Sequence, residues 1–202
     1  MAAIFPMGRI LRGPRVFLRR LDRGQAEAYQ RLLERNRLWL QPWMPEVPHP
    51  LTVADLRKII AGEHQELKRA QRVDLGLFRA QDGQLIGKVA LHSIQWGVSF
   101  SAGLGYWIDA DLAGAGLMTE AVARVVAVAF EEMGLHRLWA GVQPANRPSQ
   151  RVLEKLGFVR EGLHRQELFI NGRWQDQYFF TLLETEFYAR RAQWVVKGWL
   201  GD

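Results

Sequence analysis

Leu112-Ala113-Gly114-Ala115-Gly116-Leu117-Met118-Thr119-Glu120 is the stretch on which the reading of this chain turns. Before it, residues 104–109 read as a strand. After it, Ala121, Val122, Val125, Val126, Ala129 and Phe130 recur as one broad apolar helical face that ends at Gly134. Glycines between a strand and a helix let the backbone approach a ligand closely, and the first turn of a helix offers free N–H groups and a partial positive charge. Together they make a phosphate cradle, although a flexible turn before a buried helix would use the same residues. No Gly-Lys-Ser/Thr follows, which excludes a P-loop. The loop also falls mid-chain after several antiparallel strands instead of opening a dinucleotide-binding βαβ unit.

Downstream, residues 135–142 return to strand and residues 146–156 form a short helix closed by Gly157. Two long strands, 158–170 and 174–183, are joined at Asn171-Gly172, a strong hairpin signal. Upstream, residues 73–80 and 85–94 read as an antiparallel hairpin about Asp82-Gly83. Thr52 caps a helix reaching to about residue 72, with Leu56, Ile59, Ile60 and Leu67 on one side. Asp22 caps an earlier helix whose stripe is Ala26, Tyr29, Leu32, Leu33 and Leu38. Gly13-Pro14 introduces a first strand at 15–19. Pro42, Pro45, Pro48 and Pro50 bar regular structure from 39–50. Trp39, Trp43 and Met44 in this stiff loop form either a hydrophobic plug or a lip over a cleft. Phe187, Trp194, Val195 and Trp199 recur as a final helical face, packed on its own domain or making a dimer contact. The fold class is α/β.

At 202 residues and 23.2 kDa, with 48% apolar and 24% charged residues, the chain suffices for one core and is short for two. The expected organisation is one domain over 1–184 and a helical extension over 185–202. The absence of Cys excludes disulfide scaffolds, thiolate zinc sites, iron–sulfur clusters and cysteine nucleophiles. His49, His64, His92, His136 and His164 include no i, i+4 pair, so no metal is expected. The apolar run 125–130 is too short to cross a bilayer, and Met1-Ala2-Ala3-Ile4-Phe5-Pro6 lacks the order of a signal peptide. A cytoplasmic protein without membrane association is therefore expected. The net charge of +6 resides in residues 1–37, where nine Arg face Asp22, Glu27 and Glu34, while the remainder cancels. That end suits an acidic partner such as nucleic acid, an acidic protein or a phosphorylated ligand. A solvated basic face accounts for it equally.

Four signatures carry a resemblance that spans nearly the whole chain: Leu38-Trp39-Leu40-Gln41-Pro42-Trp43, Gly105-Tyr106-Trp107-Ile108, Gly114 through Ala121, and Asn146-Arg147-Pro148-Ser149 running on through Leu153-Glu154-Lys155-Leu156-Gly157-Phe158. In order and spacing the chain resembles the GNAT superfamily of N-acetyltransferases, and within it the RimJ/RimL-like branch that acetylates ribosomal-protein N-termini. Gly172-Arg173-Trp174-Gln175-Asp176 also looks like this branch. The resemblance implies a GNAT-like mixed, mostly antiparallel seven-stranded sheet flanked by helices, in which the strand ending at Ile108 and the strand from Leu135 splay apart to admit acetyl-CoA. It implies that main-chain groups of Tyr106, Trp107 and Ile108 pair with pantetheine. The N–H groups of Ala113, Gly114, Ala115, Gly116, Leu117, Met118 and Thr119 would hold the pyrophosphate. Asn146 would anchor the pantetheine arm, and Lys155 would meet a CoA phosphate, although a Lys at a helix end is also simply solvated.

Three departures bear on chemistry. Ala113 stands where the phosphate loop of relatives commonly has Gln or Arg, which removes a side-chain contact. Leu153 stands where many relatives have a catalytic Tyr, and the resemblance points to Ser149 as the substitute that protonates the departing thiolate. A hydroxyl in the first turn of a helix also serves backbone donors. Gly103 stands where relatives often have Glu, so a base comes from elsewhere or is not needed. Glu167 and Asp176 are candidate bases or amine-attracting carboxylates, although exposed strand charges are common. An α-amine titrates at about 7.7–8.0 and Lys near 10.4, so a weak site favours an N-terminus over a lysine. The implied reaction is direct attack of an amine on the thioester, with a strand N–H near Trp107 or Ile108 stabilising the oxyanion. Three further readings stay open at this level: a small-amine acceptor, a non-catalytic CoA- or RNA-binding module, and a homodimer.

Overall fold

The turn signals fall where the chain reverses. A computed structural model gives the chain at residues 5, 8–44 and 50–201, so Pro45, Pro48 and His49 lie outside the described residues. One sheet holds β1 (Leu11–Arg12), β2 (Val16–Arg19), β3 (Val73–Arg79), β4 (Leu85–Gln95), β5 (Ser101–Ile108), β6 (Arg137–Val142), β7 (Val159–Ile170) and β8 (Arg173–Leu183). Their order is β1-β2-β3-β4-β5-β6-β8-β7, and every neighbouring pair is antiparallel except β5 with β6. The sheet thus has eight described strands against the seven expected. The addition is β1, a two-residue pairing of Leu11 with Leu18 and Arg12 with Phe17, too short to show an alternation in sequence.

The helices are α1 (Ala26–Arg35), α2 (Arg37–Leu40), α3 (Val53–Lys68), α4 (Leu117–Glu131), α5 (Arg147–Lys155) and α6 (Glu184–Val196). Asp22 does cap, but it caps a single 3-10 turn. Its carboxylate accepts the Gly24 N–H at 2.8 Å and Gln25 returns the favour to the Asp22 N–H at 2.8 Å, after which α1 begins. Leu38 is not on the α1 stripe. The axis breaks at Asn36, and Leu38 is left 74% exposed on α2. Trp39 and Leu40 are likewise helical rather than loop. Thr52 and Asp55 form a reciprocal capping box for α3. That helix stops at Lys68, short of residue 72, because Ala70 takes a φ of 54°.

Helices cover both faces, so two hydrophobic cores form. On one face β3 contributes Leu75 and Leu77, and β5 contributes Leu104, to a core shared with α4 and α6. On the other face Phe78 and Leu85 pack with Tyr29 and Leu32 of α1 and Leu56 and Ile60 of α3. In α4 every residue except Arg124 and Glu131 is buried, as expected of a helix that is apolar nearly all round. Phe187 and Trp194 of α6 are buried in the same core, so this helix packs on its own domain.

The Arg-rich end is largely engaged within the molecule. Arg9 pairs with Glu132, Arg15 with Glu120, Arg19 with Asp22 at 3.6 Å and Arg35 with Asp109. Among the described residues no helix is long and apolar enough to cross a membrane, and no cluster of His, Asp or Glu could hold a metal ion.

Candidate active site

The sheet is split at its one parallel joint. β5 pairs with β6 only through Ser101–Arg137, Ala102–Leu138 and Gly103–Trp139, whereas β5 continues to pair with β4 out to Ile108 and β6 with β8 out to Val142. Beyond Gly103 the two strands diverge and β5 has one free edge. Which main-chain groups face that edge follows from the ladder. The Asp109 N–H donates to Ile86 O at 2.8 Å, so Trp107 and Lys88 form a hydrogen-bonded pair across β4 and β5. Tyr106 and Ile108, one residue out of phase, turn their N–H and C=O groups into the wedge. Trp107 does not: its main chain is engaged by β4, which corrects its assignment as a donor to pantetheine or the oxyanion.

A cleft of about 950 Å³ opens from the wedge. Of the residues singled out in the sequence, Tyr106, Trp107, Ile108, Ala113, Gly114, Gly116, Leu117, Met118, Thr119, Asn146, Ser149, Lys155 and Glu167 line it. Ala115 is not on its wall. Asp176 is elsewhere: its carboxylate accepts the Gln166 N–H at 2.8 Å, and it lines a separate depression of about 460 Å³ beside Gln143 and Pro144. The β7–β8 ladder shifts register between His164 and Leu168, and at that irregularity Asp176 is tied to the β7 main chain while Glu167 lines the cleft. Asn146 spends its side-chain oxygen on the Ser149 N–H, at 3.2 Å, as the cap of α5.

At the wide end of the wedge lies the glycine loop. Gly114 has a φ of 83°, and Gly116, the residue that caps α4, has a φ of 80°. Side-chain-bearing residues pay for that conformation, and glycine does not. The N–H groups of the first turn of α4 are thereby left facing the cleft. Arg15, at the entry to β2, braces this loop from outside the cleft lining. The Arg15 guanidinium donates to Ala115 O at 2.9 Å and to Gly116 O at 3.3 Å, and is held by Glu120 at 2.8 Å. Glu120, almost wholly buried, also accepts the N–H groups of Arg15 and Val16.

Strand alternation puts different chemistry on the two sides of the wedge. On the α4 and α5 side, Ser149 Oγ donates to the Tyr106 hydroxyl at 3.0 Å, and that hydroxyl donates to Ser149 O at 2.9 Å. Burial pushes the Tyr106 phenol above its ordinary range despite the Ser149 bond, so it stays protonated at any working pH. On the α1 and α3 side stand Trp107, Lys88, Asp74, Arg72 and His92. Lys88 bonds to Glu63 and lies 3.2 Å from Asp74, and Arg72 grips Asp74 at 2.5 Å. Burial opposes charge on Asp74, but Lys88 and Arg72 outweigh it and hold the carboxyl below its usual range. Burial raises Glu63. The Lys88 ammonium also sits 5.3 Å over the Tyr29 ring.

Trp39, Trp43 and Met44 line the same cleft, so the described part of this segment, up to Met44, is a lip. It is pinned across the opening, with Gln143 donating to Pro42 O at 2.8 Å and Asn171 to Gln41 O at 2.6 Å. Two features of the cleft wall escaped the sequence: the Tyr106 phenol beside Ser149, and the His92 ring. The signal for His92 was its register opposite Gly103, which only the ladder reveals.

Residues 15–159 match the acetyltransferase (GNAT) domain model. A probable N-acetyltransferase of Bacillus subtilis, YjcK, is 38% identical over 178 residues, spanning 88% of this chain and 98% of the relative. The ribosomal protein uS5-alanine N-acetyltransferase of Escherichia coli is 30% identical over 142 residues, 70% of this chain and 73% of the relative. The solved structure of Mycobacterium smegmatis RimJ in complex with CoA-disulfide superposes with a TM-score of 0.84 at 28% identity, covering 94% of this chain and 92% of that one. A strand pair that splays beside a glycine-capped helix, lined by unspent main-chain groups, suits a long phosphorylated thioester carrier, and the relatives agree. The chain belongs to the GNAT family of N-acetyltransferases, and acetyl-CoA is its cosubstrate.

Proposed function

We propose that the acceptor is the N-terminal α-amine of a protein, with a ribosomal protein as the first candidate. Two relatives named for acetylating alanine of a ribosomal protein, from E. coli and Vibrio fischeri, support the acceptor class. The observation that carries the reading is the state of the cleft floor. Its acids, Asp74 and Glu63, are both engaged by Lys88, so the floor offers little net attraction to a polycation. The mouth is formed by Trp39, Trp43, Met44 and Leu51, which suits an amine that enters uncharged. At neutral pH an α-amine is uncharged in about a tenth of molecules, far more than a lysine.

In this mechanism the Tyr106 and Ile108 main chain aligns the carrier, the first turn of α4 with Arg15 behind it holds the pyrophosphate, and Lys155 meets a further phosphate. The Tyr106 or Ile108 N–H faces the developing oxyanion. Ser149 turns its hydroxyl from Tyr106 to the sulfur and hands it a proton that cleft water replaces, while the Tyr106 phenol keeps its own proton and holds Ser149 through the main-chain carbonyl. Glu167, exposed on β7 and lining the cleft, draws the peptide's cationic N-terminus to the mouth, where it sheds its proton to water before it enters.

The reading is tested by mixing protein, acetyl-CoA and peptides beginning with Ala or Ser, following free thiol and locating the acetyl group by mass spectrometry. Modification of the α-nitrogen is expected. Faster turnover with spermidine or free amino acids than with every peptide overturns it.

A further inference from the structure

His92 sits at the apex of the wedge, on the face opposite Ser149. It is the cross-strand partner of Gly103, the last β5 residue still joined to β6. Its ring lies flat over β5 where two residues lack side chains. A Cβ on Gly103 would come within 2.3 Å of the imidazole, and one on Gly105 would touch Cδ2 and Nε2 at 3.7 and 3.8 Å. From β6, Trp139 meets the ring edge-on, with centroids 5.2 Å apart. Nδ1 is 3.2 Å from Ser93 Oγ, on a residue that takes a φ of 50° at the bulge ending the regular ladder. The ring is therefore fixed on three sides, and it lines the cleft.

We propose that His92 is the base that takes the proton from the attacking amine, with Nε2 directed at the nitrogen. The proposal rests on acetyl transfer within this cleft and holds for whichever amine proves to be the acceptor. Its ground is placement. The amine adds to one face of the planar thioester and the sulfur leaves in another direction, so base and acid need separate positions; Gly103 and Gly105 share one face of β5 and Tyr106 the other, so His92 and the Ser149–Tyr106 pair stand on opposite sides of the sheet. As the amine nitrogen bonds to the carbonyl carbon it becomes an acidic ammonium, whose proton passes to Nε2. The C–S bond then breaks with its electron pair on sulfur, which takes the proton from the Ser149 side. Imidazolium returns its proton to water at the cleft mouth.

The charged groups around the ring favour a neutral imidazole. Arg72, just before β3, and Asp74 on β3 are the nearest; Lys88 of β4 and Glu63 of α3 complete the same network, while β5 and β6 present glycines and Trp139, with Arg137 further along the same face of β6 and paired to Glu161. Burial first, and Arg72 second, lower the imidazole below its ordinary 6.5, with Asp74 opposing. The ring is thus unprotonated and ready to accept at neutral pH.

The experiment compares wild type and His92→Gln by thiol release from pH 5 to 9, with an Ala-initiated peptide and with spermidine as probes. The amine's own titration enters both enzymes equally and cancels in their ratio. The ratio of kcat/KM values is expected to climb as the pH rises through the imidazole's range and to level off at about a hundredfold, with acetyl-CoA affinity unchanged. Gly103→Ala, which displaces the ring but keeps it, should lose activity similarly. A ratio that stays flat with pH, or a Gly103→Ala enzyme of full activity, overturns the proposal. Reaction with spermidine alone defeats the peptide reading and leaves His92 judged by the same ratio. In parallel, the His92 ring proton resonances should shift when acetyl-CoA is added, and resonances that do not move also overturn it.

Discussion

Ser149 and Tyr106 share two hydrogen bonds, one through each hydroxyl, and that arrangement separates a structural serine from a chemical one. If Ser149 only braced the phenol, Ser149→Ala would weaken acetyl-CoA binding through a displaced Tyr106. If it protonates sulfur, kcat falls by about a hundredfold while the acetyl-CoA dissociation constant stays within about twofold. Titration calorimetry beside steady-state kinetics distinguishes the two, and the second outcome is expected. Residue types alone could suggest Ser149 because the surrounding motif is local in sequence. They could not suggest the phenol, since Tyr106 is 43 positions away from its partner. Leu153 is wholly buried and belongs to the core.

At the scale of elements, the cofactor end of the site depends on how β2's entry is fastened to α4. Glu120 sits in the first turn of α4, where a carboxylate is favoured by the helix dipole. It accepts two backbone N–H groups and the Arg15 guanidinium, which itself grips two carbonyls of the glycine loop. Glu120→Ala leaves these donors without their acceptor and should cost about 2–3 kcal/mol in urea unfolding. It should also raise the KM for acetyl-CoA, because the loop loses its brace. Unchanged stability and KM together would show that the loop holds its shape unaided. The loop and helix were legible from glycine placement and apolar periodicity, both local signals. The brace was not, because Arg15 and Glu120 are 105 residues apart.

At the scale of the whole molecule, a charged cluster is shut between the sheet and the α1 and α3 layer. Lys88 links Asp74 and Glu63, and the three side chains are nearly inaccessible. Lys88→Met leaves two carboxyl groups buried without their cation and should destabilise the fold by about 3–5 kcal/mol. Adding Asp74→Asn and Glu63→Gln to that variant should recover much of the loss. No loss in denaturant unfolding of the single variant would remove the cluster from the account of stability. The pH dependence has a defined sign. Asp74 is held below its ordinary 3.8, so its contribution is complete above that value and fades as the pH falls through the lowered one. Glu63 is raised above 4.5, so its contribution is complete below that value and fades as the pH rises through the raised one.

Hydrophobic period, caps and turn residues act over a few positions, and so the elements, their approximate ends and the glycine-capped helix were determined by the sequence itself. The resemblance carried by local motifs likewise set the family and its cosubstrate. Tertiary structure decided what depends on distant segments meeting: the eighth strand, the turn of Trp107's main chain into β4, the removal of Asp176 from the cleft, and the fit of an imidazole over two glycines. Hydrogen-bond register fixes each of these, and register is a property of strand pairs rather than of any one strand.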